Sequence, residues 1–101
     1  MNSAQQVAQL PAPTYSARIL FGVLSRLRAG RLAVTTPEGT RRVFVGDEPG
    51  PTADLEIRDW KAVGRMVRAA DIGVAECWRD GLIATGDMTA LLALCEANQA
   101  A

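Results

Sequence analysis

Histidine is absent from this 101-residue sequence, and cysteine and lysine are scarce. The lack of histidine removes the side chain that most often titrates or binds metal near neutral pH. Cys77 and Cys95 are too few and too far apart to form a zinc site, so we expect no metal ligands. The first 13 residues have neither the basic end nor the apolar run of a secretory signal, which makes an oxidising compartment unexpected. We therefore expect a cytoplasmic protein with reduced thiols.

Opposite charges balance, with 11 basic and 11 acidic residues. The balance provides no bulk positive charge, so we expect no nucleic-acid partner. Arginine or glycine interrupts each apolar run well before the roughly 20 residues that a membrane span requires. The composition therefore favours a protein that does not cross a membrane.

Groups suited to catalysis are also missing. The 9 glycines never form a GxGxxG run after a strand, so we expect no cradle for a dinucleotide or for S-adenosylmethionine (SAM) in this chain. Glu76 and Asp80 are four residues apart, as an acid–base pair on one helix face would be. Acidic residues near turns more often cap helices or pair with an arginine such as Arg79. We predict no catalytic residue and no cofactor for this chain alone.

The first helix is predicted from Tyr15 onward, because Ile19 and Val23 recur at helical spacing. Arg26 and Arg28 are expected in its last turn, where positive charge stabilises the helix dipole. Two β-branched runs around the turn sequence PEGT then predict a hairpin, and the alternating sequence ADLEI predicts a third strand.

The later half of the chain predicts three helices and a short extended segment. Asp59 and Asp87 are expected to cap two of the helices, and a third is expected to start after Asp71. Trp60 and Trp78 lie on amphipathic helix faces and are expected in the core.

Together these elements predict an α+β domain over residues 14–101, preceded by a disordered tail at residues 1–13. The short connections favour an antiparallel sheet of three to five strands, covered on one face by helices. An apolar layer between sheet and helices is expected to form either a closed core or a pocket for an acyl chain. The candidate pocket residues are Met66, Val67, Trp78, Met88, Leu91, Leu92 and Cys95.

Residues 71–81, with the sequence DIGVAECWRDG, resemble a segment in the amino-terminal domain of cyclopropane-fatty-acyl-phospholipid synthases and related SAM-dependent lipid methyltransferases. The resemblance extends over residues 19–98, and its motif residues are Gly73, Glu76, Asp80 and Gly81. Trp78 stands where the family pattern has tyrosine, and Cys77 where it has a small residue. The resemblance implies an accessory domain, with methyl transfer in a separate, larger domain that binds SAM.

The sequence WRDGLIATGDMTALLAL also resembles sterol-carrier-protein-like domains, which implies an apolar pocket between sheet and helices. From these resemblances we expect a non-catalytic module of a lipid methyltransferase that engages phospholipid acyl chains or a membrane. The expected partners are a phospholipid or fatty acyl chain, a methyltransferase catalytic domain in cis or trans, and a second copy in a homodimer. The expected location is cytoplasmic and peripheral at the inner membrane. The alternatives are a free-standing lipid carrier and a domain that pairs subunits.

Overall fold

A computed structural model describes residues 11–99, which form three helices and four strands. In chain order the elements are α1 (Pro11–Leu24), β1 (Ala29–Thr35), β2 (Arg41–Val45), β3 (Glu48–Ile57), α2 (Lys61–Arg79), β4 (Ile83–Ala84) and α3 (Met88–Ala97). The predicted α+β class is confirmed. Helix α1 begins at Pro11, so three residues of the predicted tail belong to its first turn; residues 1–10 of that tail lie outside the described residues.

The sheet is mixed rather than purely antiparallel, so that part of the fold prediction is wrong. The strand order is β2-β1-β3-β4. Strand β1 pairs antiparallel with β2 and parallel with β3, while β3 pairs antiparallel with the short β4. After β2 the chain does not continue as a meander beside that strand. It crosses the start of β1 and enters the sheet on the opposite side.

Glycine makes this crossing possible. The amide of Gly46 donates to the carbonyl of Gly30 at 2.8 Å, and the amide of Glu48 donates to the carbonyl of Arg28 at 2.9 Å. A Cβ atom at Gly46 would collide with the backbone of Arg28, and one at Gly50 would lie 2.8 Å from the amide nitrogen of Gly30. The backbones therefore meet at distances that side chains would prevent.

One face of the sheet is covered by the helices and the other is largely exposed to solvent. Val34, Leu55 and Ile57 face inward, whereas Asp54 and Glu56 alternate with them and are exposed. All three helices contribute buried side chains to the inner cluster, which confirms that they cover one face. Those helical residues are Leu20, Ala62, Val63, Val74, Cys77, Leu91 and Leu94.

Helix α2 is a hairpin of two arms, residues 61–69 and 71–79, which meet at an elbow formed by Ala70. The backbone at Ala70 has φ 50° and ψ −121°, outside the helical region. Gly73 packs directly on the backbone of Arg65, because a Cβ atom there would collide with the Arg65 carbonyl group. The prediction of two helices separated near Asp71 is therefore confirmed as a break within α2.

Candidate functional site: an apolar groove

An apolar groove of about 660 Å³ opens where the three helices meet above the inner face of the sheet. Ligand sites in proteins commonly have volumes of roughly 300–1,000 Å³. The sheet contributes Leu32 and Leu55 to the lining. The helices and the turn after α1 contribute the other apolar lining residues, which are Ile19, Leu20, Val23, Leu24, Leu27, Met66, Val67, Ala70, Val74, Leu91, Leu94 and Cys95.

Four of the seven candidate pocket residues line this groove: Met66, Val67, Leu91 and Cys95. Met66 and Val67 lie on the first arm of α2, and Leu91 and Cys95 lie on α3. Leu91 is buried, whereas the side chain of Val67 is 46% exposed at the opening. The groove therefore has a buried floor and a solvent-facing side.

Met88, Leu92 and Trp78 lie outside the groove lining. Met88 and Leu92 are half-buried and pack against the hydrophobic core. Trp78 is 53% exposed on the second arm of α2, so the expectation that it is a core residue is wrong. Trp60, by contrast, is half-buried, and its Nε1 donates to Glu38 Oε2 at 2.9 Å.

Helix α1 forms a wall of the groove that the sequence interpretation missed. Ile19 and Val23, which predicted the helix, face the groove. The helix ends at Leu24, so Arg26 and Arg28 lie beyond it rather than in its last turn, and the predicted capping role is wrong. Arg26 borders the groove instead.

The motif residues shape the α2 hairpin and do not enter the groove. Gly73 allows the two arms to touch, and Gly81 has φ 77°, a left-handed conformation that favours glycine after the helix end. Asp80 Oδ2 accepts a hydrogen bond from Arg65 Nη1 at 2.6 Å, which joins the end of the second arm to the first. Glu76 is half-buried beside this pair.

Two arginines hold Asp80 in its charged form. Hydrogen bonds from Arg79 and then from Arg65 lower the pKa of Asp80 from 3.8 to about 2. The pKa of Arg65 is raised, chiefly by its hydrogen bond to Asp80, with a smaller contribution from the charge of Glu76. Asp80 is therefore held as a carboxylate that joins the two arms of α2 through its contacts with Arg65 and Arg79.

Asn98 lines the groove and was not singled out from the sequence. Its Oδ1 accepts from the amides of Arg28 at 2.8 Å and Ala29 at 3.0 Å. Its Nδ2 donates to the carbonyl groups of Ala29 at 3.0 Å and Leu94 at 2.9 Å. One side chain thus ties the end of α3 to the start of β1, beside the chain crossing.

The acidic caps behave largely as expected. Asp87 Oδ1 accepts from the amide of Ala90 at 3.0 Å, which confirms it as the N-cap of α3. Asp59 Oδ1 accepts from the amide of Lys61 at 2.9 Å, at the start of α2, but the N-cap residue of α2 is Trp60, so Asp59 lies one residue before the cap position. Asp71 Oδ1 accepts from the amide of Ile72 at 2.9 Å, just after the elbow.

The thiols are unsuited to nucleophilic chemistry. Burial raises the pKa of the Cys95 thiol, and the charge of Asp71 raises it further. Burial is also the main cause of the raised pKa of the Cys77 thiol, whose Sγ donates to the carbonyl of Ala62 at 3.6 Å. Both thiols are thus protonated and weakly reactive near neutral pH.

Within residues 11–99, we find no group of three histidine, cysteine, aspartate or glutamate residues arranged to hold a metal ion. Of the helices in this part of the chain, none has the length and apolar character needed to cross a membrane. The lining of the groove is mostly apolar, which suits it to binding an apolar molecule.

Comparison of the chain with models of known protein families, with curated proteins and with solved structures finds no match.

Proposed function

We propose that this chain is a non-catalytic module of a cyclopropane-fatty-acyl-phospholipid synthase-like SAM-dependent methyltransferase, in which it receives a phospholipid acyl chain. The observation that carries the proposal is the open apolar groove of about 660 Å³ between α1, α2 and α3. The similarity of residues 71–81 to the family motif supports the assignment to this class of enzyme. SAM and the methyl-transfer chemistry belong to a separate catalytic domain.

The side chains of the groove suit a flexible hydrocarbon. Met66 adapts its shape through three rotatable bonds, and leucines from α1, the sheet and α3 supply the remaining surface. An acyl chain that buries about eight methylene groups gains roughly 6 kcal/mol. This corresponds to a dissociation constant on the order of 10–100 µM before the cost of ordering the chain is subtracted. Such weak, reversible binding is appropriate for a module that presents lipid to an enzyme.

The test uses lysophosphatidylcholine, a zwitterionic single-chain lipid, below its micelle concentration. We expect native mass spectrometry of the 101-residue chain to show a complex with one lipid. Changing Val23 and Val67 together to glutamine should weaken the complex about tenfold or more, because both side chains lie at the groove opening.

The matched control changes Val43 and Val45 to glutamine. These two valines are also exposed but lie on β2, away from the groove. The control variant should bind lipid like the unaltered chain. An equal loss in both variants, or no complex with the unaltered chain, would exclude an acyl-chain role for the groove.

A second candidate function, the pairing of subunits, is favoured by the exposed side of the second α2 arm. Trp78 is 53% exposed and Ile72 is 63% exposed on this arm. Apolar side chains of this size are common at the centres of protein interfaces. Analytical ultracentrifugation should then detect a dimer that the substitution Trp78→Gln dissociates. A monomer at high concentration would exclude this function without affecting the groove.

A further inference from the structure

Positive charge is concentrated at the opening of the groove, although the whole chain is neutral. We define the groove mouth as Tyr15, Arg18, Val23, Arg26, Val67 and Arg68. Arg18 and Arg26 line the groove itself. Arg68 lines an adjoining depression that shares Ile19 and Val67 with the groove. No acidic side chain lines either depression within the described residues.

The compensating acidic residues lie elsewhere. Asp54 and Glu56 are on the outer face of the sheet, and Asp80 is paired with two arginines at the base of the α2 hairpin. Asp71, at the elbow, acts on one lining residue of the groove, because its charge raises the pKa of Cys95. Its carboxylate also accepts from the amide of Ile72. The groove mouth therefore carries three arginines and no acidic side chain among its lining residues within the described part of the chain.

Apolar side chains are interspersed among these arginines. Tyr15 is 68% exposed, Val23 is 49% exposed and Val67 is 46% exposed. Tyrosine is enriched where proteins meet the headgroup region of membranes, because its ring has an apolar body and a polar end. Apolar residues flanked by arginines are the arrangement with which peripheral proteins lie on anionic lipid surfaces.

We propose that the groove mouth docks on an anionic phospholipid surface. Arg18, Arg26 and Arg68 contact lipid phosphates, while Tyr15, Val23 and Val67 enter the boundary between headgroups and acyl chains. This orientation places the groove opening against the bilayer, where an acyl chain can enter it without crossing water. The inference rests on the proposed function, since the groove gives the docking its purpose. It adds to that function the class of membrane on which the chain docks, which is a bilayer with net negative charge.

The experiment measures sedimentation of the full 101-residue chain with vesicles. One set contains phosphatidylcholine alone, and the other contains phosphatidylcholine with about one third phosphatidylglycerol. We expect binding to the anionic vesicles that weakens as salt is raised, because ions screen exposed charges over about 10 Å at 0.1 M. Each basic residue near such a surface contributes about 1 kcal/mol, so the triple variant R18Q/R26Q/R68Q should bind about a hundredfold more weakly.

The matched control is the triple variant R31Q/R41Q/R58Q, which removes the same charge from arginines on and beside the outer face of the sheet. All six arginines are exposed, and circular dichroism should show that both variants keep the fold. The control should lose much less affinity than the mouth variant. Equal losses in the two variants, or equal binding of the unaltered chain to neutral and anionic vesicles, would overturn the docking proposal.

Failure of this inference is separable from failure of the proposed function. If zwitterionic lysolipid fills the groove while the chain binds neutral and anionic vesicles equally well, only the docking proposal is wrong. If the mouth arginines control vesicle binding but no lipid enters the groove, docking stands and the acyl-chain role is wrong.

Discussion

The two ends of the α2 hairpin are packed in opposite ways. At its base, which we call the filled region, Ile57, Val63 and Cys77 are at most 2% exposed. At its elbow, the groove separates α2 from α1, and Val23 and Val67 are about half exposed. Both ends use ordinary apolar residues over the same sheet face. The difference indicates that the filled region stabilises the fold, whereas the groove leaves apolar surface available to a ligand.

The largest effect should come from a truncation in the filled region. Ile57→Ala removes buried methyl and methylene groups and should lower the free energy of unfolding by about 2–5 kcal/mol. Val23→Ala, at the groove, should change it by less than about 0.5 kcal/mol, because that side chain is already half in water. Urea denaturation measures both. Similar losses at the two positions would show that the comparison between the regions is wrong.

The next largest effect on stability should come from the segment after β2 that crosses the start of β1 and places β3 in the sheet. Gly46→Ala should destabilise the fold by about 2 kcal/mol or more, because the new methyl group collides with the backbone of Arg28. The matched change Gly22→Ala lies in α1, where no atom beyond its chain neighbours and the local helix backbone lies within 4 Å of the new methyl group. It should raise stability by up to about 1 kcal/mol, since alanine favours helix. A tolerated Gly46→Ala would argue against the parallel placement of β3.

The smallest effect should be a pH dependence of the folding stability that Asp80 contributes at the base of the α2 hairpin. The pKa of Asp80 in the folded chain is about 2, below its ordinary value of 3.8. Its contribution to stability is therefore fully present above about pH 4–5 and is lost as the pH falls through this window toward 2. The urea midpoints of the unaltered chain and of Asp80→Asn should differ near neutral pH and converge near pH 2. Parallel curves over the whole range would mean that Asp80 does not hold the arms together.

Much of the element order was predictable because its signals are local. Asp87 is followed by an apolar helical stripe and caps α3, and the break at Ala70 lies one residue before the predicted start at Asp71. Side-chain hydrogen bonds to nearby amides depend on only a few residues. Local patterns of this kind can be interpreted without knowing the tertiary structure.

The parallel pairing of β1 with β3 depends on a contact that is not local. A hairpin followed by a strand ordinarily suggests a meander, and the close approach of Gly46 and Gly50 to the start of β1 is the one sign of the crossing. The positions of Gly46 and Gly50 in the sequence do not indicate which backbones they approach. The antiparallel sheet was therefore the natural, and incorrect, expectation.

The groove was only partly predictable for the same reason. Met66, Val67, Leu91 and Cys95 lie where helical spacing placed them, on the faces of their helices that line the groove. Trp78 differs because the reversal at Ala70 gives the second arm its own orientation, which leaves the indole exposed. The contribution of α1 depends on its docking across the open side, which helical periodicity does not specify.

The central claim is that hydrocarbon enters the groove and not the filled part of the core, and two methionines report on it directly. Met66 lines the groove, whereas Met88 packs on the core outside it. With ¹³C-labelled methionine methyl groups, titration of lysophosphatidylcholine below its micelle concentration should shift the Met66 signal saturably and leave the Met88 signal in place. A Met66 signal that does not move, or equal shifts at both methyl groups, would contradict the account.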